Sequence, residues 1–261
     1  MTQPLLIDRR GGTAWLTINR PQAGNAIDLS LARALLDAAI LCDEDSAVRC
    51  VVVTGMGRMF CAGGDVRDFA AAGGRVSTLI KHLTAALHVA ISRLLRMAKP
   101  LITVVNGPVA GAGFGLALAG DIVLAARSAH FTSAYTAIGL SPDAGLTWML
   151  PRLVGLRRAQ DILLTNRRVT AQEAADLGIV TQVINDDDLA AEAEAMAMRL
   201  CRSATGALGR TRNLLLGSYS ASLEGQMESE ARAVADCARG EEAQEGVAAF
   251  FAKRSPKFNQ E

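Results

Sequence analysis

The sequence predicts an α/β fold with parallel strand pairing, because short apolar runs alternate with longer segments of helical periodicity. Residues 50–54 and 101–105 are continuous apolar, β-branched runs, typical of strands buried on both faces. Between them, residues 77–97 carry a long helical pattern that ends before Lys99 and Pro100. A strand, a helix and a second strand in this order predict a parallel crossover connection.

The N-terminal segment predicts a hairpin followed by a helix. Residues 5–9 and 13–19 have strand character and flank a pair of glycines, which is a hairpin signal. Either Asp28 or Ser30 is positioned to cap a helix over residues 31–43.

The middle of the chain continues the alternation. Residues 70–74 are small and glycine-rich, which predicts a mobile loop. The strand at 101–105 is followed by a predicted helix at 113–119 and a short strand at 121–125. A late strand is predicted at 179–184.

Helical signals dominate the second half of the chain. Thr170 and Glu173 have the spacing of a capping box. The best boundary lies near 201–209, where a mixed core gives way to helices, so we divide the chain into a core of residues 1–200 and a helical region of residues 201–261. The predicted helices here span residues 153–164, 189–202 and 227–239.

Composition excludes several classes of protein. The chain has 261 residues, half of them hydrophobic, and a formal net charge of +1. Without a basic patch we expect no nucleic-acid partner, and apolar runs too short to span a bilayer predict no membrane segment. The five cysteines form no CxxC pair, so we expect reduced thiols rather than disulfides or a metal site. With no signal peptide evident, the expected location is the cytoplasm.

Two glycine-rich turns are the first candidate site. The turn at 59–65 follows the strand at 50–54, and the turn at 110–113 follows the strand at 101–105. Glycines allow a ligand close to the backbone, and the N–H groups exposed there suit either a phosphate or a developing oxyanion. Two tight packing turns would give the same pattern, and spacing alone leaves these alternatives open.

Other catalytic signatures are weak or missing. The glycines at 111–115 lack the third glycine and the downstream acidic residue of a dinucleotide fingerprint. The sequence contains neither a P-loop nor a GxSxG nucleophile motif. The three histidines, His82, His88 and His130, lack metal-ligand spacing and are interpreted as structural or surface residues.

Asp143 is the most suggestive carboxylate. It lies between Pro142 and the small-residue start of a predicted helix. An aspartate there is a favoured N-cap, worth about 1 kcal/mol. A carboxylate in an apolar cleft can instead carry a proton between substrate atoms. The local sequence supports both interpretations equally.

A set of motifs recurs in order along nearly the whole chain, in segments 19–26, 60–65, 105–113, 150–155 with 171–180, and 250–258. Any one motif is weak, whereas the ordered set is specific. Together these motifs resemble the crotonase family, also called the enoyl-CoA hydratase/isomerase family.

The resemblance implies a fold, a ligand and an assembly. The fold would be an α/β, ClpP-like spiral of ββα units, with C-terminal helices that assemble a homotrimer or a dimer of trimers. The ligand would be an acyl-CoA thioester, with no metal and no cofactor apart from the coenzyme A of the substrate. The backbone N–H groups of Gly64 and Ala112 would bind the thioester oxygen.

The resemblance also assigns binding residues. Arg20, Ala26 and Ala62 correspond to positions that hold the adenine and phosphates of coenzyme A. Lys257 and Phe258 correspond to positions that act on a neighbouring subunit. The remaining residues expected around the substrate are Gly63, Asp65, Gly111 and Tyr135.

The departures from the family pattern concern catalysis. Family hydratases carry glutamates at the positions held here by Gly115 and Tyr135. Hydration needs a carboxylate to activate water and an acid to protonate carbon. Glycine does neither, and tyrosine, which titrates near 10, is a poor base at neutral pH. Ordinary hydratase activity is therefore not expected.

Asp143 corresponds to a functional aspartate of the aryl-CoA members, the epoxyphenylacetyl-CoA isomerases and the chlorobenzoyl-CoA dehalogenases. The segment 140–148 is more similar to the isomerases. A dehalogenase also needs a histidine base, and His82 and His88 lie in the corresponding region. Our leading hypothesis is an enoyl-CoA isomerase in which Asp143 shuttles a proton. The alternatives are a hydratase, dehalogenase or thioester hydrolase, or a non-catalytic acyl-CoA-binding protein, and the acyl group, aliphatic or aryl, stays open.

Overall fold

The strands form two sheets in the computed structural model, which describes residues 3–258. The larger sheet has six strands in the order β1-β2-β3-β4-β6-β9, and the smaller has the order β5-β7-β8. The strands are β1 (Leu5–Arg10), β2 (Thr13–Ile18), β3 (Cys50–Gly55), β4 (Leu101–Val105), β5 (Val109–Ala110), β6 (Ile122–Ala126), β7 (His130–Thr132), β8 (Val169–Thr170) and β9 (Gln182–Ile184).

Parallel pairing dominates the larger sheet. Strands β1 and β2 form the predicted antiparallel hairpin, and every later neighbour pairs in parallel, with Val51 of β3 opposite Leu101 of β4. All five residues of β4 are buried, as are most residues of β3. Burial on both faces is the reason that these two strands are continuous apolar runs rather than alternating ones.

Helices follow the strands and cover the sheet. Helices α1 and α3 pack against each other, α1 also packs on β1 and β2, and α8 packs on β2, β3, β4 and β6. Asp28 rather than Ser30 caps α1, because its carboxylate accepts a hydrogen bond of 2.7 Å from the N–H of Leu31. The helices are α1 (Leu29–Glu44), α2 (Val66–Ala72), α3 (Val76–Arg96), α4 (Ala112–Leu118), α5 (Leu146–Val154), α6 (Leu156–Thr165), α7 (Ala171–Asp176), α8 (Leu189–Cys201), α9 (Thr205–Ser218), α10 (Leu223–Ala238) and α11 (Glu241–Phe251).

Beyond Cys201, the structure describes helices and no strands up to Phe258. Helix α9 connects this region to the core through Arg212, whose guanidinium donates to the backbone oxygens of Met97, Lys99 and Leu94. The division at residue 200 stays a prediction.

Two local expectations are wrong. Residues 70–74 were expected to form a loop, but α2 extends to Ala72 and a short 3-10 turn follows, because Asp65 caps the helix start and small residues tolerate helical geometry. The single helix expected over 153–164 is two helices. Gly155, with a φ of 79°, ends α5 and begins α6.

Candidate active site

The two glycine-rich turns meet in the structure. Cys61 of the first turn and Val109, just before the second, form an isolated parallel bridge. The N–H of Ala110 donates to the carbonyl of Cys61 at 2.9 Å, and the N–H of Phe60 donates to the carbonyl of Pro108 at 3.2 Å. Neighbouring parallel strands β3 and β4 end at the same edge of the sheet, which brings both turns to one place.

Glycine is required where the turns touch. A Cβ on Gly63 would lie 3.1 Å from the Cα of Gly111 and 3.3 Å from the nitrogen of Ala112. Gly63 and Gly111 also have positive φ values of 91° and 53°. A Cβ on Gly113 would lie 2.6 Å from the carbonyl oxygen of Cys61. The backbones therefore approach more closely than any side chain would allow.

Two main-chain amides from these turns open onto one cavity. Gly64 and Ala112 both line a cavity of about 310 Å³, and within the described chain neither N–H donates a backbone hydrogen bond. Ala112 is the first residue of α4, where an N–H has no partner inside the helix. Two uncommitted donors beside a cavity are what stabilisation of a developing oxyanion requires.

The cavity wall is mainly apolar. Phe69 lies over one of the two turns, since a Cβ on Gly64 would lie 2.8 Å from Cζ of its ring. Within the described chain, the lining residues include no lysine or arginine, and Asp143 is the one acidic residue among them. Besides Gly64, Phe69, Ala112 and Asp143, the lining residues are Ala62, Val66, Ile80, Leu83, Thr84, Gly111, Ala134, Tyr135, Ile138, Leu140 and Ser141.

Two side chains lie against the carboxylate of Asp143. The hydroxyl of Tyr135 donates a short hydrogen bond to Oδ1, and Nε2 of His88 lies 3.3 Å from Oδ2. The carboxylate does not cap a helix, because α5 begins after Gly145 and makes no side-chain cap hydrogen bond. The interpretation of Asp143 as an N-cap is therefore wrong.

Tyr135 is a donor in this site rather than a base. It is 9% exposed, and burial, reinforced by the negative charge of Asp143, raises the pKa of its phenol further above its usual value. A phenol with a raised pKa stays protonated at neutral pH and keeps its hydrogen bond to the carboxylate.

His88 is the site residue that sequence reasoning missed. It lies on α3 and its ring is 45% exposed, as expected for a surface histidine, yet Nε2 also accepts a hydrogen bond of 3.2 Å from the N–H of Ala144. Residues 88 and 143 are 55 positions apart. Only the comparison with the dehalogenases, which need a histidine in this region, pointed to it in the sequence.

Known proteins resemble this chain over nearly its whole length. A family model described as "Enoyl-CoA hydratase/isomerase" matches residues 8–261. The chain belongs to the enoyl-CoA hydratase/isomerase family. Its fold is accordingly the crotonase α/β fold with a helical C-terminal region, as the sequence predicted.

Relatives within the enoyl-CoA hydratase/isomerase family are named for different reactions. The chain is 37% identical to a 1,2-epoxyphenylacetyl-CoA isomerase of Escherichia coli over 95% of both chains. It is 32% identical to 4-chlorobenzoyl coenzyme A dehalogenase-2 of Arthrobacter over 87% of this chain and 83% of the relative. The crystal structure of an enoyl-CoA hydratase from Polaromonas superposes with a TM-score of 0.94 at 34% identity, covering 98% of this chain and 99% of the other.

Gly115, the first of the two positions where family hydratases were expected to carry a glutamate, has no room for a side chain. A Cβ on Gly115 would lie 2.3 Å from the carbonyl oxygen of Ala144 and 2.8 Å from its Cβ. Ala144 reaches this place in a left-handed conformation, with a φ of 54°. The backbone after Asp143 thus occupies the space that a glutamate at 115 would need.

Most of the residues that the family resemblance assigned to coenzyme A contact one another outside the cavity lining. Arg20 forms ion pairs with Asp28 and Asp65, both at 3.0 Å, and donates to the carbonyl of Ala26. Asp65 is 6% exposed and caps α2, so its carboxylate is committed to the fold. Of Arg20, Ala26, Ala62 and Asp65, only Ala62 lines the cavity. The other predicted residues that line it are Gly64, Gly111, Ala112, Tyr135 and Asp143.

Three further predicted residues are also absent from the cavity lining within one chain. Gly63 supports the contact between the turns without lining the cavity. Lys257 donates its backbone N–H to Glu245 at 2.6 Å, and Phe258 packs near Gly246 at the C-terminal helices. Residues 3–258 contain no cluster of potential metal ligands, and no helix among them is long and apolar enough to cross a bilayer.

Proposed function

We propose that this protein is an enoyl-CoA isomerase in which Asp143 moves a proton between two carbons of a thioester. One observation carries the proposal: Asp143 shares a cavity with Gly64 and Ala112, whose N–H groups are uncommitted. Those amides bind the thioester oxygen and stabilise the enolate that forms when a proton leaves carbon. Each such donor contributes roughly 2.7–4 kcal/mol to barrier lowering.

In this proposal, Asp143 alone carries the proton between the two carbons. For a 3-enoyl-CoA, the carboxylate of Asp143 takes a proton from the α carbon, and the same proton is delivered to the γ carbon as the double bond moves. Tyr135 donates to the other carboxylate oxygen and fixes its orientation. The apolar walls favour an uncharged acyl group, aliphatic or aryl, as does the lack of a lysine or arginine in the lining that residues 3–258 form.

The remaining assignments are part of the same proposal. Ala62, Ala26 and Arg20 contact coenzyme A, and Lys257 and Phe258 contribute to the site of a neighbouring subunit in a homotrimer or a dimer of trimers. The protein works in the cytoplasm without a metal or a separate cofactor.

The decisive variant is Asp143→Asn. It keeps the shape of the side chain and removes the base, so we expect isomerisation of a 3-enoyl-CoA to fall by about 10²–10⁴-fold. Acyl-CoA binding, measured by calorimetry, stays within about three-fold of wild type because the oxyanion amides are unchanged. An unaltered rate in this variant contradicts the proton-shuttle role, and rapid hydration of crotonyl-CoA by the wild type contradicts the isomerase.

A second function has an observation in its favour. His88 lies 3.3 Å from Asp143, the arrangement in which a carboxylate attacks an aryl carbon and a histidine activates the water that releases the product. Release of chloride from 4-chlorobenzoyl-CoA supports this dehalogenase reaction over the isomerase. Tight binding of enoyl and aryl esters with no turnover supports a non-catalytic acyl-CoA-binding protein.

A further inference from the structure

The residue that follows Asp143 has a strained backbone. Ala144 is left-handed, with a φ of 54°, and is 1% exposed. A left-handed conformation is disfavoured for a residue with a Cβ, and it persists only where the surrounding structure holds it. Since Ala144 is bonded directly to Asp143, the groups that hold Ala144 also fix the position of the carboxylate.

Two helices hold Ala144. Its carbonyl and methyl group pack against α4, at the place where a side chain of Gly115 would begin. Its N–H donates to Nε2 of His88 on α3, with 3.2 Å between the two nitrogens. Within residues 3–258, this N–H has no other acceptor. The imidazole of His88 therefore satisfies a buried backbone donor beside the carboxylate.

The hydrogen bond from Ala144 decides which nitrogen of His88 carries the hydrogen. Because Nε2 also lies 3.3 Å from Oδ2 of Asp143, it either accepts from Ala144 or donates to Asp143. A donating Nε2 would leave the buried N–H of Ala144 without a partner, which costs more than leaving Oδ2 without one. The side chain of Asp143 is 26% exposed, so Oδ2 can be hydrated. The arrangement with the hydrogen on Nδ1 is therefore favoured.

This arrangement also leaves one oxygen of Asp143 without a protein donor. Oδ1 accepts the hydrogen bond of Tyr135. Oδ2 receives nothing from His88 when Nε2 carries no hydrogen, and the part of the chain that the structure describes supplies no other donor to it. A carboxylate oxygen that accepts no hydrogen bond is the better base, because nothing stabilises its charge.

We propose that His88 is a positioning residue that holds Asp143 through the backbone of Ala144 and leaves Oδ2 free to take the proton of the substrate. This inference rests on the proposed isomerase. His88 transfers no proton in this role and remains a hydrogen-bond acceptor throughout. The role therefore requires an acceptor atom at the place of Nε2, and it does not require a group that titrates.

Two amide variants separate an acceptor from a proton carrier. In His88→Gln the amide oxygen reaches the place of Nε2, whereas the side chain in His88→Asn is one carbon shorter and ends near the place of Nδ1. We expect kcat for a 3-enoyl-CoA to fall by about 10–100-fold in His88→Asn, because a displacement of about 1 Å costs this much. In His88→Gln, kcat should stay within about five-fold of the wild type. Binding of a saturated acyl-CoA should change less than about three-fold in both variants, since the amides of Gly64 and Ala112 are unchanged.

His82→Asn is the matched control. His82 is on the same helix, is exposed and does not line the substrate cavity, so this variant should match the wild type. If His88→Gln is as slow as His88→Asn, the inference is overturned, because His88 would then act on a proton itself. Wild-type kcat in His88→Asn also overturns it. So does a loss of acyl-CoA binding in step with kcat, since the damage would then not be confined to Asp143.

Two measurements on the free protein are independent of the reaction. At about pH 8, above the range in which a free histidine titrates, ¹⁵N spectra of histidine-labelled protein should show His88 with its hydrogen on Nδ1. Hydrogen exchange of the segment that contains Ala144 should be faster in His88→Asn than in His88→Gln. A hydrogen on Nε2, or equal exchange in the two variants, overturns the inference. If both results are as expected but no 3-enoyl-CoA reacts, the isomerase is contradicted and the hold of His88 on Asp143 is not.

Discussion

At residue 115, the absence of a Cβ leaves room for the backbone that carries Asp143, the carboxylate that we propose as the proton carrier. Ala144 packs its carbonyl and methyl group where a side chain at 115 would begin, and Asp143 immediately precedes it. The left-handed backbone of Ala144 costs of order 1 kcal/mol and persists because its surroundings hold it. The glycine thus positions Asp143 without touching it.

Gly115→Ala is expected to destabilise the protein by roughly 1–3 kcal/mol and to lower isomerase activity, because the added methyl group displaces Ala144 and Asp143. Thermal unfolding and kcat measure the two effects. Gly217→Ala is the control, since Gly217 is also helical but a Cβ there meets nothing within 4 Å. That change is expected to be neutral or stabilising by up to about 1 kcal/mol. Equal behaviour of the two variants would contradict the steric argument.

At the scale of single residues, the sequence predicts those site residues that belong to a local motif. Asp143 and the two glycine-rich turns were found because turn chemistry and spacing are local. The contact of His88 with Asp143 depends on how α3 packs beside the loop before α5, and no short-range pattern encodes it. The commitment of Arg20 to Asp28 and Asp65 was missed for the same reason.

Among the elements, α9 is attached to the core by one buried arginine. Arg212 is 7% exposed, its Nε lies 2.6 Å from Oδ2 of Asp121, and its guanidinium donates to three carbonyl groups at the end of α3. Burial raises the pKa of Asp121, while Arg212 opposes that shift. The pair therefore depends on both partners being present.

Arg212→Met is expected to destabilise the protein by about 3 kcal/mol, because it removes the cation paired with Asp121 and the donor to the three carbonyl groups. Chemical denaturation measures the loss. Arg210→Met on the same helix removes an exposed pair with Asp236 and should cost less than about 1 kcal/mol. A small loss in Arg212→Met would mean that other contacts hold α9.

The segment after α11 is expected to detach in acid. The pKa of Glu245 is lowered to about 2, first by the Arg254 guanidinium and then by the Lys257 N–H, both of which donate to its carboxylate. Because the pKa falls on folding, this stabilisation is present above about pH 4.5 and is lost as the pH falls towards about 2.

Hydrogen exchange of the Lys257 amide follows this release. It should accelerate, relative to core amides, between about pH 5 and pH 2 in the wild type, whereas Glu245→Gln should show a weakly protected amide throughout. Constant protection of the Lys257 amide across this pH range would show that the Glu245 carboxylate does not hold this segment.

Element prediction succeeded where the pattern was long or apolar. The strands β3 and β4 and the helices α1, α3 and α8 follow from periodicity, with bounds shifted by a residue or two. The smaller sheet was missed because its strands have two or three residues, and their pairing is set by tertiary contacts. The break at Gly155 was missed because a lone glycine is tolerated in helical patterns.

At the scale of the whole molecule, the C-terminal helices expose apolar residues that one chain does not cover. Helix α10 buries no residue, and Leu223, Met227 and Val234 lie on one face with exposures of 57–70%. On α11, Phe250 and Phe251 are each 79% exposed. Such a surface is typical of an interface. The homotrimer or dimer of trimers that the family resemblance implies stays a prediction.

Light scattering is expected to report a homotrimer or a dimer of trimers for the wild type. Val234→Glu places a charge on the apolar face of α10 and should shift the protein to monomers at micromolar concentration. Arg232→Gln, on the opposite side of the helix, is the control and should leave the assembly intact. A monomeric wild type would contradict the prediction.

The architecture as a whole was predictable because its parts occur in an ordered set, although each is weak alone. The relative positions of turns, cavity and histidine were not, since they arise only when distant segments pack. The same holds for the site. The sequence shows that a glutamate is missing at position 115, but only the structure shows that Ala144 fills the space its side chain would need.

The contact between Gly115 and Ala144 restricts which substitutions this site accepts. A glutamate does not fit at position 115 by that substitution alone, since the carbonyl oxygen of Ala144 lies where its Cβ would stand. A side chain at 115 therefore requires a different path for the backbone at 144, and Asp143 would move with it. Engineering a carboxylate into position 115 is thus a problem of redesigning a loop rather than of exchanging one residue.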